Sequence, residues 1–460
     1  MRVVLVAPNS KAHTITPPLG LGYLAAALRQ RGHEPAILDL ARRRQDAAGG
    51  IRALSALEPE LIGVSILSTA YEPARELVAA IKRELPGVPL VVGGPHVTAL
   101  PREALTDLDV SLGVIGEAEA AFPDLVDRIA GDGASAGLDG LVSVCRQQGG
   151  EVTCAARAAF PQDLDALPFP AWDLIDPRTY PDLPHQLLHK RFPVAPVMTS
   201  RGCPFDCDFC ASTTLWGRGW RTRSAGNVVD EIEMLVRDFQ VKEIHFEDDN
   251  FTLKASHAAA VCEEIIRRKL DIVWCTPNGV RADSLTEDLV RLMKRSGCYG
   301  LAFGIESGSQ RVLERNRKQL DLGKVAARVE MVKRHGIEAH GFFIVGLPGE
   351  TVDTIRETID FARRVPLDRA NFALLAPLPG SGIFREYVQG SGTGRKIDYS
   401  AFNYFTPFPM GGLDAATLNR WQRRAVYSFY LRPRPLLSLA RHTRPGQVKE
   451  IVKALIHYST

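Results

Sequence analysis

Short apolar runs alternate with helical patterns twice along this chain, and nothing else in the sequence limits the fold so strongly. In the first third the runs VVLVA, AILDL, LIGVSIL, PLVVGG and DVSLGVIG are separated by PPLGLGYLAAALRQRG, a helical stretch near residues 47–57 and YEPARELVAAIKREL; EAEAAFPDLVDRIA then follows the last run. Parallel strands buried on both faces read as continuous apolar runs, so residues 1–135 are expected to form a doubly wound, Rossmann-like α/β domain. The alternation resumes at Pro196. PVAPVM, EIHFED, DIVWCTPNG, CYGLAFGIESG, EAHGFFIVGLPGE and ANFALLAPLPG supply six strands in sequence. Six βα units fall short of a closed eight-stranded barrel; that residues 196–385 form a partial (β/α)6 barrel of TIM type is implied by the family resemblance given below, and chemistry is expected at the carboxyl ends of its strands.

Between the two units, residues 136–195 read as a linker. GDGASAG is a break, LVSVC and EVTCAA around QQGG form a small hairpin, and LPFPAWDLIDP is a proline-rich crossing segment. Within the second unit, Asn227 is expected to cap a helix whose apolar face is Val228, Ile232, Leu235 and Phe239. Residues 386–460 are expected to be a helical region covering the open side of the barrel. Its aromatics Phe402, Tyr404, Phe405, Phe408, Trp421 and Tyr427 read chiefly as core caps.

Straight after PVAPVM comes TSRGCPFDCDFCAS, which places Cys203, Cys207 and Cys210 on one short loop in CxxxCxxC spacing. Gly202, Pro204 and Asp206 mark a tight turn rather than a core strand. Three thiolates in one small volume make an incomplete metal site. Structural zinc wants four ligands, and the nearest histidines, His185, His189 and His245, lack finger-like spacing to these cysteines. An iron–sulfur cube held by three cysteines keeps one iron open, and open iron implies chemistry at that iron.

Composition excludes several classes. The 460 residues are 45% hydrophobic and 24% charged, and 56 Lys+Arg against 53 Asp+Glu give a net charge of +3, too weak a field to predict nucleic-acid binding. No apolar stretch approaches the roughly 18 residues of a membrane-spanning helix. MRVVLVAPNS reads as a buried first strand rather than a secretory segment. Eight cysteines are too few and too irregular for a disulfide framework, so a reducing cytoplasm is expected. Cys145, Cys154, Cys262, Cys275 and Cys298 are read as small buried hydrophobes.

The loop RGCPFDCDFC resembles the signature of the radical S-adenosylmethionine (SAM) enzymes, with Phe209 as the aromatic residue before the third cysteine. That resemblance implies that Cys203, Cys207 and Cys210 hold a [4Fe–4S] cluster whose fourth iron is chelated by SAM. By the same resemblance Glu247, Asp248 and Asp249, at the end of the second barrel strand, hold the amino end of SAM. Asp249 reads equally as a helix cap. Glu306 and Ser307 in FGIESGS contact the ribose and the carboxylate, and the backbone from Ile344 to Gly346, leading into GLPGE, pairs with adenine. Gly349-Glu350-Thr351 also reads as a helix start.

The first unit resembles the cobalamin-binding domain that precedes many radical SAM cores, through PPLGLGYLAA, the Ser65-Ile66-Leu67 triplet, GGPHVT and the GEAE turn. Ser65 and Leu67 would then line the pocket for the nucleotide tail. Gly93, Gly94, Gly116 and Glu117 would lie along the corrin or its tail. The DxHxxG motif is absent, and His13 reads as a solvated loop histidine, so cobalamin is expected base-off with no protein histidine on cobalt. The implied activity is a cobalamin-dependent radical methyltransferase acting on carbon or phosphorus of a natural product or lipid, with an electron donor such as flavodoxin or ferredoxin. A ring-forming cyclase or oxidative-rearrangement enzyme of the same architecture is the runner-up, and a non-enzymatic cobalamin or redox sensor is the alternative of another class. Methylthiotransferases carry N-terminal cluster cysteines, whereas the first cysteine here is Cys145. The basic, amphipathic end RPRPLLSLARHTRPGQVKEIVKAL suggests weak membrane-surface contact.

Overall fold

Val3, Val4, Leu5 and Val6 are essentially sealed from solvent, which only a strand covered on both faces can achieve. They form β1 (Arg2–Ala7) at the heart of the first sheet, followed by β2 (Glu34–Asp39), β3 (Leu61–Ser65), β4 (Leu90–Gly93) and β5 (Leu112–Val114). In this computed structural model, residues 1–9, 15–133, 137–182, 189–390, 397–402, 405–410 and 412–442 are described. His13, His185, Tyr404, part of the GDGASAG break and the chain after 442 lie outside them. The first five strands are parallel in the order β2-β1-β3-β4-β5, with separate apolar groups packed on the two faces.

The expected hairpin is present as β6 (Val144–Gln148) and β7 (Glu151–Cys154), but it is no free-standing part of a linker. It continues the first sheet, because β6 pairs antiparallel with β5. Its ladder sets Cys145 opposite Cys154, and the two form a disulfide. The reading of this pair as unbonded buried hydrophobes is therefore corrected: facing positions on adjacent antiparallel strands bring the two sulfurs within bonding reach.

The crossing segment is pinned to both units. Ala171 N–H donates to Gly22 O at 3.0 Å, and Trp172 Nε1 donates to Glu231 Oε1 at 2.9 Å. The second sheet then begins with β8 (Val194–Val197), and a short ladder joins β9 (Ser200–Arg201) to β10 (Arg221–Thr222). The sheet continues with β11 (Glu243–Phe246), β12 (Val273–Val280), β13 (Cys298–Glu306), β14 (Glu338–Val345) and β15 (Arg369–Leu374). All six of its strands are parallel, in the order β8-β11-β12-β13-β14-β15, with β8 and β15 at the margins, as a partial barrel requires.

Two local readings change. Ser224, not Asn227, caps the helix Ala225–Phe239, its hydroxyl accepting from Asn227 N–H at 3.2 Å. The helix starts one turn earlier than expected because Ser224 already supplies the acceptor that the free N–H groups need. The C-terminal helix Ala415–Tyr430 packs against β15 and the helix Val352–Arg364, while Tyr399 turns back onto Tyr71 and His96 of the first unit. Phe402, Phe408 and Trp421 are buried as core caps, whereas Tyr427 is exposed. Among the described residues no helix is long and apolar enough to cross a membrane.

Candidate active site at the facing strand ends

The cysteine loop leaves the carboxyl side of β8 and doubles back through Gly202. With φ at +91°, a side chain there would meet Gly219 O at 2.0 Å, so only glycine fits. The loop is braced from below. Arg317 pairs with Asp206 and with Asp208, Asp208 N–H donates to Asn316 O at 3.1 Å, and the Arg281 guanidinium lies 3.7 Å from the Phe205 ring centroid. Ser212 N–H donates to Cys210 Sγ at 3.5 Å.

All three loop cysteines are free and partly buried. Burial raises each thiol, Cys210 to about 12, so thiolate character has to come from the metal that displaces the protons. Among the described residues, the set of three donor atoms lying within 4.8 Å of one another is Glu243, His245 and Cys275, not the loop cysteines. A single tetrahedral zinc would draw its sulfurs to within about 4 Å of each other. The wider loop suits a polynuclear cluster.

Around the loop, the strand ends place the expected residues unevenly. Glu306 ends β13 at φ +68°, beside a register shift between Gly304 and Glu306, a conformation uncommon for a side-chain-bearing residue. This bulge aims its carboxylate at Lys318, whose Nζ lies 3.0 Å from Oε1 and 5.6 Å from the Phe209 ring centroid. Burial works against the Lys318 ammonium, but Glu306 and Cys207 beside it prevail and hold its pKa above the usual lysine range. Lys318 escaped the sequence reading because RNRKQL looks like an ordinary solvated helix end.

Ile344 and Phe209 lie together in one small apolar group with Leu347 and Leu375. Gly346, at φ +100°, donates its N–H to Glu350 Oε2 at 2.6 Å, and Thr351 caps the next helix.

Two other expected contacts face inward. Asp248 is buried and accepts from the Thr199 and Ser200 hydroxyls and from Thr199 N–H, which fixes the approach to the cysteine loop. Ser307 is buried with its hydroxyl against Thr358 Oγ1 at 3.2 Å. Glu247 is half-buried and Asp249 exposed. Glu247 O accepts from Asn278 Nδ2 at 2.9 Å, and Asp249 accepts from the Ser212 hydroxyl two residues past Cys210.

Across from this barrel end stands the carboxyl edge of the first sheet. Gly94, at φ +91°, lies so close to Ser65 and Ile66 that a Cβ would meet Ile66 N at 2.8 Å, and Gly93 lies beside Val114 O. Leu67, on the same edge, is 50% exposed, apolar surface that a large flat cofactor would use. His96, the histidine of GGPHVT, faces away from that edge. It is buried against Tyr71 and Tyr399, with Nδ1 3.0 Å from Ser68 Oγ, and burial lowers its pKa to about 4. Glu117, expected along the corrin, instead has a buried side chain paired with Arg201 and Arg221.

Comparison with known proteins accounts for this layout. Residues 6–126 match the B12 binding domain and residues 197–362 match the radical SAM superfamily. An uncharacterised methyltransferase of Pyrococcus horikoshii is 30% identical over 445 residues, 95% of this chain and 94% of that protein. The chain belongs to the cobalamin-binding radical SAM enzymes. A cytidylyl-2-hydroxyethylphosphonate methyltransferase of Streptomyces wedmorensis is 29% identical, covering 81% of this chain and 78% of its own. The fold is that of the radical SAM methyltransferase TsrM from Kitasatospora setae, solved with cobalamin and a [4Fe–4S] cluster (TM-score 0.71, 19% identity, 97% of this chain and 89% of that one). A member of this family is an enzyme using a [4Fe–4S] cluster, SAM and cobalamin, which sets aside the non-enzymatic sensor. Anaerobic cyclases also stand among its relatives, but methyl transfer is the main reading of its activity.

Proposed function

We propose that this enzyme methylates an unactivated carbon or a phosphorus centre of a natural product or lipid. The observation that carries the reading is the placement of the cysteine loop opposite the carboxyl edge of the first sheet, with Leu67 exposed on that edge. Held at these residues, the cluster and SAM would supply radical chemistry and cobalamin would supply the methyl carrier.

The chain's own residues bind and orient. Cys203, Cys207 and Cys210 would hold three irons. Lys318 offers a cation between Glu306 and the cysteine loop, and it would suit the carboxylate of SAM. Glu247 and Asp249 would offer acceptors for its amine, the Ile344–Gly346 backbone would pair with its adenine, and Phe209 with Ile344, packed in one apolar group, would exclude water. Ser65, Leu67, Gly93, Gly94 and Gly116 would accommodate cobalamin.

An electron donor of flavodoxin or ferredoxin type would reduce the cluster. Leu431, 74% exposed, with Leu436 and Leu437 beside Arg432 and Arg434, gives the C-terminal helices an apolar and basic surface suited to a lipid-bearing membrane. Flotation with anionic liposomes that leaves the protein unbound removes that contact.

The deciding experiment supplies anaerobically reconstituted enzyme with metabolite extract from a strain lacking the gene. S-adenosylhomocysteine and 5′-deoxyadenosine formed together support methyl transfer. If 5′-deoxyadenosine forms without S-adenosylhomocysteine, the cyclase or rearrangement reading takes its place.

A further inference from the structure

The two units meet through charge as well as packing. Arg201 lies two residues before Cys203; its Nη1 donates to Glu117 Oε2 and its Nη2 to Glu119 Oε1, both at 2.7 Å. Both carboxylates sit on the turn that leaves β5, the turn that begins with Gly116. Arg221, which faces Arg201 across the β9–β10 ladder, closes on Glu117 as well. The side chains of Arg201, Glu117 and Arg221 are 4%, 4% and 6% exposed, and Glu119 is 12% exposed. Two cations thus neutralise two anions out of water. The Tyr23 and Trp216 rings flank the Arg201 guanidinium, each centroid 5.1 Å from its carbon.

Buried ion pairs add little net stability, because desolvation offsets most of the attraction, but their directional bonds select one arrangement. What this arrangement selects is the distance between two cofactor loops. On one side is the GEAE turn, where Gly116 adopts φ +77° and donates its N–H to Thr98 Oγ1 at 3.0 Å. On the other is the root of the cysteine loop, where Gly202 is wedged against Gly219 O, so a displacement of Arg201 is passed directly to Cys203. The same junction is reinforced where the helix Ser212–Trp216, just past Cys210, packs on the helix Pro95–Ala99 that follows Gly94. Arg157 adds a bond to Thr214 O at 2.8 Å.

We propose that Arg201, Arg221, Glu117 and Glu119 are positioning residues that couple the cobalamin loop to the cysteine loop, so that each cofactor binds more tightly when the other is in place. The inference rests on the cofactor reading above. Linkage makes the effect reciprocal: whatever factor the cluster adds to cobalamin affinity, cobalamin adds to cluster retention.

The test titrates aquacobalamin anaerobically into the full chain, once with its cluster reconstituted and once after chelation of the iron, following the corrin absorbance. The wild-type protein is expected to bind about ten-fold more tightly when the cluster is present. Arg201→Lys and Glu119→Gln are expected to bring that ratio to about one while still binding cobalamin and four irons. A purely structural role would lower the melting temperature of the variants and leave the ratio alone, and that result overturns the proposal, as does a ratio of one in the wild type. Should Arg201→Lys fail to fold, Glu119→Gln decides alone, since it weakens a single bond at the most exposed of the four side chains. A wild-type chain that takes up neither iron nor cobalamin overturns the cofactor reading itself, an outcome distinct from normal loading without coupling.

Discussion

Lys318 Nζ stands 3.0 Å from Glu306 Oε1, a buried ion pair joining the end of β13 to the ring of Phe209 in the cysteine loop. Removing the cation leaves a buried carboxylate unpaired, which costs on the order of 3–5 kcal/mol. Lys318→Met is expected to keep four irons yet lose SAM binding and slow 5′-deoxyadenosine formation by about 100-fold, some 2.7 kcal/mol in the barrier. SAM titration followed by the electron paramagnetic resonance of the reduced cluster checks this directly; an unaltered response to SAM sinks the assignment.

Cys207→Ala is expected to lose the cluster absorbance and the iron while the first sheet keeps its fold and still takes up cobalamin. Iron analysis together with the corrin spectrum reads both. Retention of four irons by this variant would contradict the three-thiolate site.

Gly202→Ala places a methyl group 2.0 Å from Gly219 O at a left-handed φ, and backbone cannot yield as a flexible side chain can. The expected result is an iron-free protein with a cobalamin domain still intact. Normal iron loading by Gly202→Ala would show that the turn into the loop is more tolerant than its geometry implies.

His96 and His340 are both buried, and both have pKa values lowered from 6.5 to about 4, by burial first and, for His340, by Arg369 beside it. The unfolded chain therefore takes up protons near pH 6.5 that the folded chain refuses until near pH 4. The stability from each histidine is complete above about pH 6.5 and is lost as pH falls toward 4, by about 3 kcal/mol per residue. Urea denaturation from pH 7 to pH 4.5 should show this slope, and His96→Gln should flatten it. An unchanged slope in that variant would remove His96 from the account.

Because His96 is engaged by Ser68, Tyr71 and Tyr399, it is not available to cobalt. The Co(II) form of bound cobalamin is expected to give an electron paramagnetic resonance spectrum without nitrogen superhyperfine splitting. Splitting from an axial imidazole would place a histidine on the metal after all.

The eleven parallel strands were legible in the sequence because strands covered on both faces are mostly apolar, a mark carried by runs from VVLVA to ANFALLAP even though β2 and β15 each keep an exposed polar residue, Glu34 and Asn371. The hairpin was legible as a hairpin, yet its attachment to β5 was not: period-two patterning fixes which faces are buried and says nothing about which edge accepts the strand. The Cys145–Cys154 bond follows from hairpin register, which a count of cysteines does not contain. Ser224 and Asn227 are both good caps three residues apart, and only the backbone decides between them. Arg201 stands beside the cysteines and carried a local signal in SRGC. Lys318, one of 56 basic residues, acquires its meaning only from a partner twelve positions away that a bulge turns toward it.

The second sheet ends at β8 and β15 without joining them, and this incompleteness bears on what the strands can enclose. A sealed cylinder caps the girth of its guest, so a bulkier guest demands that every stave move. Here the gap between β8 and β15 sets no such limit. An open margin therefore leaves the girth of a guest unset by the staves themselves.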